Sequence, residues 1–234
     1  MDEKFVSDIK TYAKLFADKK FIDCGYIAVR YEDGILITAT KADLNNIEEK
    51  DVVFVNDKNI DSFEGNFRAA AVILFCAIRQ DSKAEAAVIA DSDAILKFSS
   101  KRKALMPILD EVSQLCGITV KCATKNVAAE VVTSLSGWRN ACFMPDAGAV
   151  IKARSLEEVL KATAVLDKAC TAQLIADSNG LDTQRMSTAS ALIEQCVFKF
   201  KTAKKFAKSA KEEVKKDEKT VVSAQPEAVA VDTA

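Results

Sequence analysis

Apolar residues recur at two different periods along the chain, and the switches between them mark its elements. In residues 3 to 20, EKFVSDIKTYAKLFADKK, the side chains of Phe5, Ile9, Tyr12, Ala13 and Phe16 fall on one helical face, which predicts a helix docked by that face. Two β-rich runs follow, 26 to 31 and 35 to 39, split by Glu32-Asp33-Gly34, a short-hairpin signal; DVVFV at 51 to 55 reads as a third strand. FRAAAVILFCAIRQ, 67 to 80, is apolar nearly all round and reads as a buried helix leading into the short strand AAVIA. Helix and strand then alternate, with a helix near 107 to 115 before GITVKCA and another over 126 to 135 before NACFM, which AGAVIKA can pair with. A long helix opens at Ser155, with Glu158 in capping-box position, and stops at Asn179-Gly180. A last helix over 186 to 215 sets Ala203, Phe206, Ala207, Ala210 and Val214 on one stripe, and the sequence beyond Lys219 has no period and is expected to be disordered.

Composition narrows the chemistry more than the fold. At 234 residues the chain can bury a sizeable core, and one domain over 1 to 211 with a charged tail over 212 to 234 is expected. Lys and Arg number 33 against 34 for Asp and Glu, so the net charge of −1 supplies no overall field to gather nucleic acid, and no nucleic-acid partner is expected. The charged N-terminus and the lack of any apolar run of about 18 residues predict a soluble, cytoplasmic protein with no membrane span. Seven cysteines at 24, 76, 116, 122, 142, 170 and 196 are scattered singly among apolar residues and read as reduced core residues. There is no histidine at all, so any acid–base or metal chemistry falls to carboxylate, Lys, Tyr or Cys.

Four stretches, in order across roughly residues 5 to 180, resemble the class II aldolase/adducin family. CGYIAVRYEDGILITATKADL is similar to the family's Gly-Asn-Ile-Ser-x-Arg strand and Thr-Pro-Ser-Gly turn, and DVVFVN follows it. SFEGNFRAAAVILFCAIRQDSKAEAAVIADSDA stands where the family carries Ser-x-Glu, a helix, and a strand ending in His-x-His. ACFMPDAGAVIKARSLEEVLKATAVLDKACTAQLIADSNG is similar to the Asn-His-Gly turn, strand and closing helix. The resemblance implies a three-layer α/β/α sandwich around a mostly antiparallel sheet, a homotetramer of fourfold symmetry, and zinc-dependent cleavage or epimerisation of sugar phosphates such as fuculose phosphate.

The resemblance also assigns the site positions. The family's three zinc ligands fall on Ala90, Ser92 and Ala147, so no metal or other cofactor is expected and the family zinc site reads as lost. Glu64 matches the acid/base glutamate. The phosphate cradle falls on Gly25, Thr38, Thr40, Lys41 and Ser62, with Tyr26 at the position of the Asn. The aldolases also bring a catalytic tyrosine from a neighbouring chain or the tail, whereas all three tyrosines here precede residue 32.

Two functions from different classes follow. The first is a non-catalytic member of the family, kept for assembly or for binding a ligand or protein partner. The second is an active sugar-phosphate aldolase (lyase) or epimerase with Glu64 as base and Asp91, Asp93 or Asp146 as ligands for Mg²⁺ or Mn²⁺. If the strand persists to Asp93, Asp91 and Asp93 point away from the face of Ala90 and Ser92, and Asp93 reads as the cap of the next helix. A third possibility belongs to FKFKTAKKFAKSAKEEVKK, whose lysines could meet an anionic surface; its interspersed acids favour a solvated helix.

Overall fold

The structure, a computed structural model, describes residues 3 to 23, 25 to 40 and 42 to 201. Its strands are β1 (Tyr26–Tyr31), β2 (Gly34–Thr38), β3 (Val52–Val55), β4 (Ala86–Ala90), β5 (Lys121–Cys122), β6 (Ala141–Met144) and β7 (Gly148–Ala153). Its helices are α1 (Glu3–Asp18), α2 (Gly65–Arg79), α3 (Asp93–Ser99), α4 (Asp110–Leu115), α5 (Ala128–Leu135), α6 (Leu156–Ser178) and a helical run over 188 to 201, termed α7. The strands form one sheet in the order β3-β2-β1-β4-β7-β6-β5. Every neighbouring pair is antiparallel except β5 with β6, which is parallel.

Both faces of this sheet are covered, and the strands show it: every residue of β2, β4, β6 and β7 is buried. Alternation along each strand sends Ile27, Val29, Leu36, Val88, Phe143 and Ile151 into one core with α1, α3, α4 and α6. Ala28, Ile35, Ile37, Ala87, Cys142 and Val150 face a second core with α2 and α5. The expected three-layer sandwich with a mostly antiparallel sheet is therefore present. The chain divides into two compact units, Met1–Gln195 and Cys196–Ala234; of the second, residues 196 to 201 are described and are helical. The expected boundary at 211, the charged tail and the Ala/Phe stripe from Ala203 to Val214 lie outside the described residues, as do Cys24 and Lys41.

Several elements differ from the sequence reading for local reasons. β2 begins at Gly34, which pairs with Tyr31, because a Cβ there would lie 2.2 Å from the Val55 carbonyl oxygen: β3 runs too close for any other residue. The helix expected from 107 starts only at Asp110, after Pro107. GITVKCA yields a two-residue β5, because Val120 bridges to Leu105 instead. α6 opens as expected, with the Ser155 hydroxyl accepting from the Glu158 N–H at 3.1 Å, but the Glu158 carboxylate reaches back to Arg154. Ser92, not Asp93, caps α3, its hydroxyl accepting from the Ile95 N–H at 3.4 Å.

Candidate functional site

One end of the sheet gathers most of the positions singled out in the sequence. Ala90 ends β4 and pairs with Ala149, while Tyr26 pairs with Ile89. Two glycines make this convergence possible. A Cβ on Gly25 would stand 2.1 Å from the Ile89 carbonyl oxygen, and one on Gly148 (φ 93°) would stand 2.2 Å from that of Ala90. The backbone thus passes Tyr26, Ala90 and Ala147 close together because no side chain intervenes at either crossing, although Ala90 faces the core with α6 while Tyr26 and Ala147 face the core with α2 and α5.

What those positions carry is apolar or already bonded. Ala90 is fully buried, and Ala147 is half-buried against the α2–α5 core. The Ser92 hydroxyl donates to the Asp167 carboxylate of α6 at 2.5 Å while capping α3. Two methyl groups and an engaged hydroxyl offer no imidazole, thiolate or carboxylate, so the residues at these positions do not fit a zinc ion.

The neighbouring acids divide. β4 stops at Ala90, so strict alternation does not continue to Asp93; Asp91, Ser92 and Asp93 turn instead into a cavity of about 840 Å³ shared with Lys19, Lys20 and Asp167. Asp91 accepts from the Asp23 N–H at 2.7 Å, and exposed Asp93 stands 3.9 Å from Lys97. Asp146 does not line that cavity: it bonds Arg102 at 2.7 Å, and this bond, with one from Ser100, holds its carboxyl below the usual range. Among the described residues no group of three or more His, Cys, Asp or Glu is placed to hold a metal.

The cradle positions are occupied by their own contacts. Tyr26 is buried, its hydroxyl 3.2 Å from the Thr40 hydroxyl and its ring 6.1 Å from that of Phe67, which meets Phe63 at 5.1 Å. The buried Thr38 hydroxyl accepts from the Ile27 N–H at 3.0 Å, and the Ser62 hydroxyl donates to the Asn59 carbonyl at 2.6 Å. Thr40 is exposed, and Lys41 lies outside the described residues. Glu64 is exposed at the start of α2 and its carboxylate makes no capping bond.

Among the described cysteines, burial pushes the Cys116 thiol up to about 12 and raises Cys142 and Cys170 as well, so these three are poor nucleophiles. Sequence reasoning missed Asp167, Phe63, Phe67 and Arg102. Asp167 and the phenylalanines carried a signal, an acid inside the buried stripe of α6 and an aromatic pair four residues apart at the head of α2.

Residues 8–174 match the family described as Class II Aldolase and Adducin N-terminal domain. Among solved structures, L-fuculose 1-phosphate aldolase is similar at 16% identity and a TM-score of 0.74, covering 85% of this chain and 98% of that one. The l-fuculose-1-phosphate aldolase from Thermus thermophilus follows at 18% identity and 0.62, covering 76% and 97%. The sugar-phosphate aldolase from Thermotoga maritima is 16% identical with a TM-score of 0.60, covering 80% and 98%. No curated protein sequence matches the chain.

Proposed function

We propose that this chain, which belongs to the class II aldolase and adducin N-terminal domain family, keeps the family fold without the metal chemistry and acts as a non-catalytic scaffold for assembly or for binding a ligand or protein partner. The observation that carries this reading is Tyr26. It stands where the resemblance puts the phosphate-cradle Asn, and its buried ring and hydroxyl occupy that place with Phe67 and Thr40. The loss of the zinc site at Ala90, Ser92 and Ala147 belongs to the same reading.

The chemistry supports it. Retro-aldol cleavage and epimerisation alike need a sink for the electrons released at the reacting carbon, which the family's zinc supplies by polarising substrate oxygen. Glu64 alone could take a proton but would leave that charge without stabilisation. The competing reading, a lyase using carboxylates on Mg²⁺ or Mn²⁺, draws on Asp91 and Asp93 lining one cavity; Asp146 is engaged elsewhere. By the same family resemblance the chain is proposed to be a cytoplasmic homotetramer, with residues 1 to 211 as one domain and 212 to 234 as its tail.

Elemental analysis of untagged protein, combined with a retro-aldol assay on L-fuculose 1-phosphate with and without Mn²⁺ or Mg²⁺, tests the proposal. The expected result is substoichiometric metal and no turnover. A stoichiometric divalent metal with turnover lost on chelation would overturn it in favour of the lyase.

A further inference from the structure

β3 is the last strand at its end of the sheet, so alternate residues turn their backbone groups away from the ladder. The register decides which. Ala39 donates to the Asp51 carbonyl at 2.7 Å and Ile37 pairs with Val53, so Asp51, Val53 and Val55 face β2, while Val52, Phe54 and Asn56 turn their N–H and carbonyl groups outward. The strand itself, VVFV, is β-branched and aromatic with neither charge nor proline, a composition that readily recruits another strand. The chain covers this edge from both ends. At the start, the Val52 N–H donates to the Glu49 carbonyl of the turn before it. At the end, one side chain stands in for a neighbouring strand: Asn59 donates from Nδ2 to the Phe54 carbonyl at 2.9 Å and accepts at Oδ1 from the Asn56 N–H at 2.8 Å. The Asn56 carbonyl accepts from the Ile60 N–H at 3.0 Å. The opposite edge is blunt by construction, since β5 is two residues long and Val120 before it exchanges both bonds with Leu105.

We propose that the Asn59 carboxamide is an autoinhibitory contact that keeps β3 from pairing with β3 of a second copy of this chain. What its removal uncovers selects the occupant. Without Asn59 the outward groups are the Val52 carbonyl, the Phe54 N–H and carbonyl, and the Asn56 N–H. Laid antiparallel across a twofold axis at Phe54, two such edges match group for group. Phe54 of each copy exchanges both bonds with Phe54 of the other, and each Asn56 N–H meets the other's Val52 carbonyl. The groups left over at those outer positions, the Val52 N–H and the Asn56 carbonyl, are the ones already bonded within the chain. The edge is thus complementary to itself, and one side chain holds it closed.

The contact goes beyond the function proposed above and does not rest on it. Two substitutions remove the same pair of bonds and differ in what they leave on the edge. Asn59→Ala leaves it open, whereas Asn59→Lys sets an ammonium beside it, which opposes strand pairing. Light scattering after size exclusion is measured on full-length wild type and both variants over a range of concentrations, with far-UV circular dichroism as the check on folding. The expected result is a particle of about twice the wild-type mass or more for Asn59→Ala, growing with concentration, and the wild-type mass for Asn59→Lys at equal ellipticity. Wild-type mass for a folded Asn59→Ala, or equal growth in both variants, would overturn the proposal, since Asn59 would then serve only the turn that follows β3. Should either variant unfold, Asn59→Ser, whose hydroxyl is too short to bond both groups, replaces the alanine and Asn59→Glu the lysine under the same outcomes. If these unfold as well, Asn59 holds the fold rather than guards an edge, and the proposal falls.

Discussion

Replacing Tyr26 by Asn, the residue that the resemblance gives the family at this position, asks whether the ring is structural filling or part of a working cradle. Tyr26 is 8% exposed, with its ring against Phe67 and its hydroxyl on Thr40. Truncating a buried aromatic costs about 3–5 kcal/mol, the high end where the surroundings do not collapse. Here Phe67 and Phe63 are only half-buried and can relax inward, which favours the low end. The Asn amide adds about 1 kcal/mol or more where it stays unpaired, giving an expected loss of about 3–4 kcal/mol. Tyr26→Phe isolates the hydroxyl. Its bond goes to an exposed Thr40, so about 0.5 kcal/mol is expected.

Urea unfolding followed by far-UV circular dichroism measures both variants, since the midpoint shifts at constant slope if only stability has changed. The ratio between them is the discriminating quantity, because a ring held as filling makes Tyr26→Asn several times costlier than Tyr26→Phe. A Tyr26→Asn variant within about 1 kcal/mol of wild type would refute the reasoning, since a ring that can leave without cost does not fill anything. Inorganic phosphate supplies a second readout. The plugged cradle predicts no midpoint shift with phosphate in wild type, and a stabilising shift there would show that the anion site still works.

Two further outcomes test the geometry around the site. Gly148→Ala should destabilise by about 2–4 kcal/mol and depress soluble yield, because φ 93° is strained for alanine and its Cβ would press on the Ala90 carbonyl; an unchanged unfolding midpoint would mean the β6–β7 turn does not approach β4 so closely. Arg102→Gln should flatten the acid limb of the pH–stability curve. The folded-state pKa of Asp146 lies below its unfolded value, so its contribution is present above the unfolded value, about 4, and is lost as pH falls through the folded one. Melting temperatures of wild type and variant should therefore differ most near neutrality and converge at the acid end, and a gap that widens on acidification would contradict the assignment.

How much of this was legible in the sequence depends on the range of the interactions involved. Elements whose cause is local read well: α1 from its apolar face, the hairpin from Glu32-Asp33-Gly34, α6 from Ser155 at one end and Asn179-Gly180 at the other. Elements settled by a distant partner did not. β5 shrank because Val120 found Leu105, and the cap of α3 moved to Ser92, whose hydroxyl also binds Asp167 from 75 residues away. At the site, Ala90, Ser92 and Ala147 are matched to the family's zinc ligands by resemblance alone. That Asp91 and Asp93 share Ser92's cavity was not, because it turns on where β4 stops. The contact of Phe67 with Tyr26 was equally hidden, since the spacing of Phe63 and Phe67 signals that those two rings can meet but not that β1 brings a third.

The two ends of the sheet differ in what their side chains require of their neighbours. At the foot, Arg30 donates to the carbonyls of Ile78, Asp81 and Ala84, closing the end of α2 onto β1 and β4, and buried Lys152 of β7 pairs with Asp81 at 3.0 Å. These charged groups are hard to replace, because removing one partner strands another in a poorly hydrated place. At the head, the positions matching the zinc ligands carry methyl groups and a hydroxyl whose bonds close within the chain. Where the resemblance puts imidazoles, these side chains leave no buried polar group unpaired and call for no metal to neutralise charge. The buried charges thus sit at one end of the strands and the positions that the resemblance matches to zinc ligands at the other, where a substitution strands no buried charge.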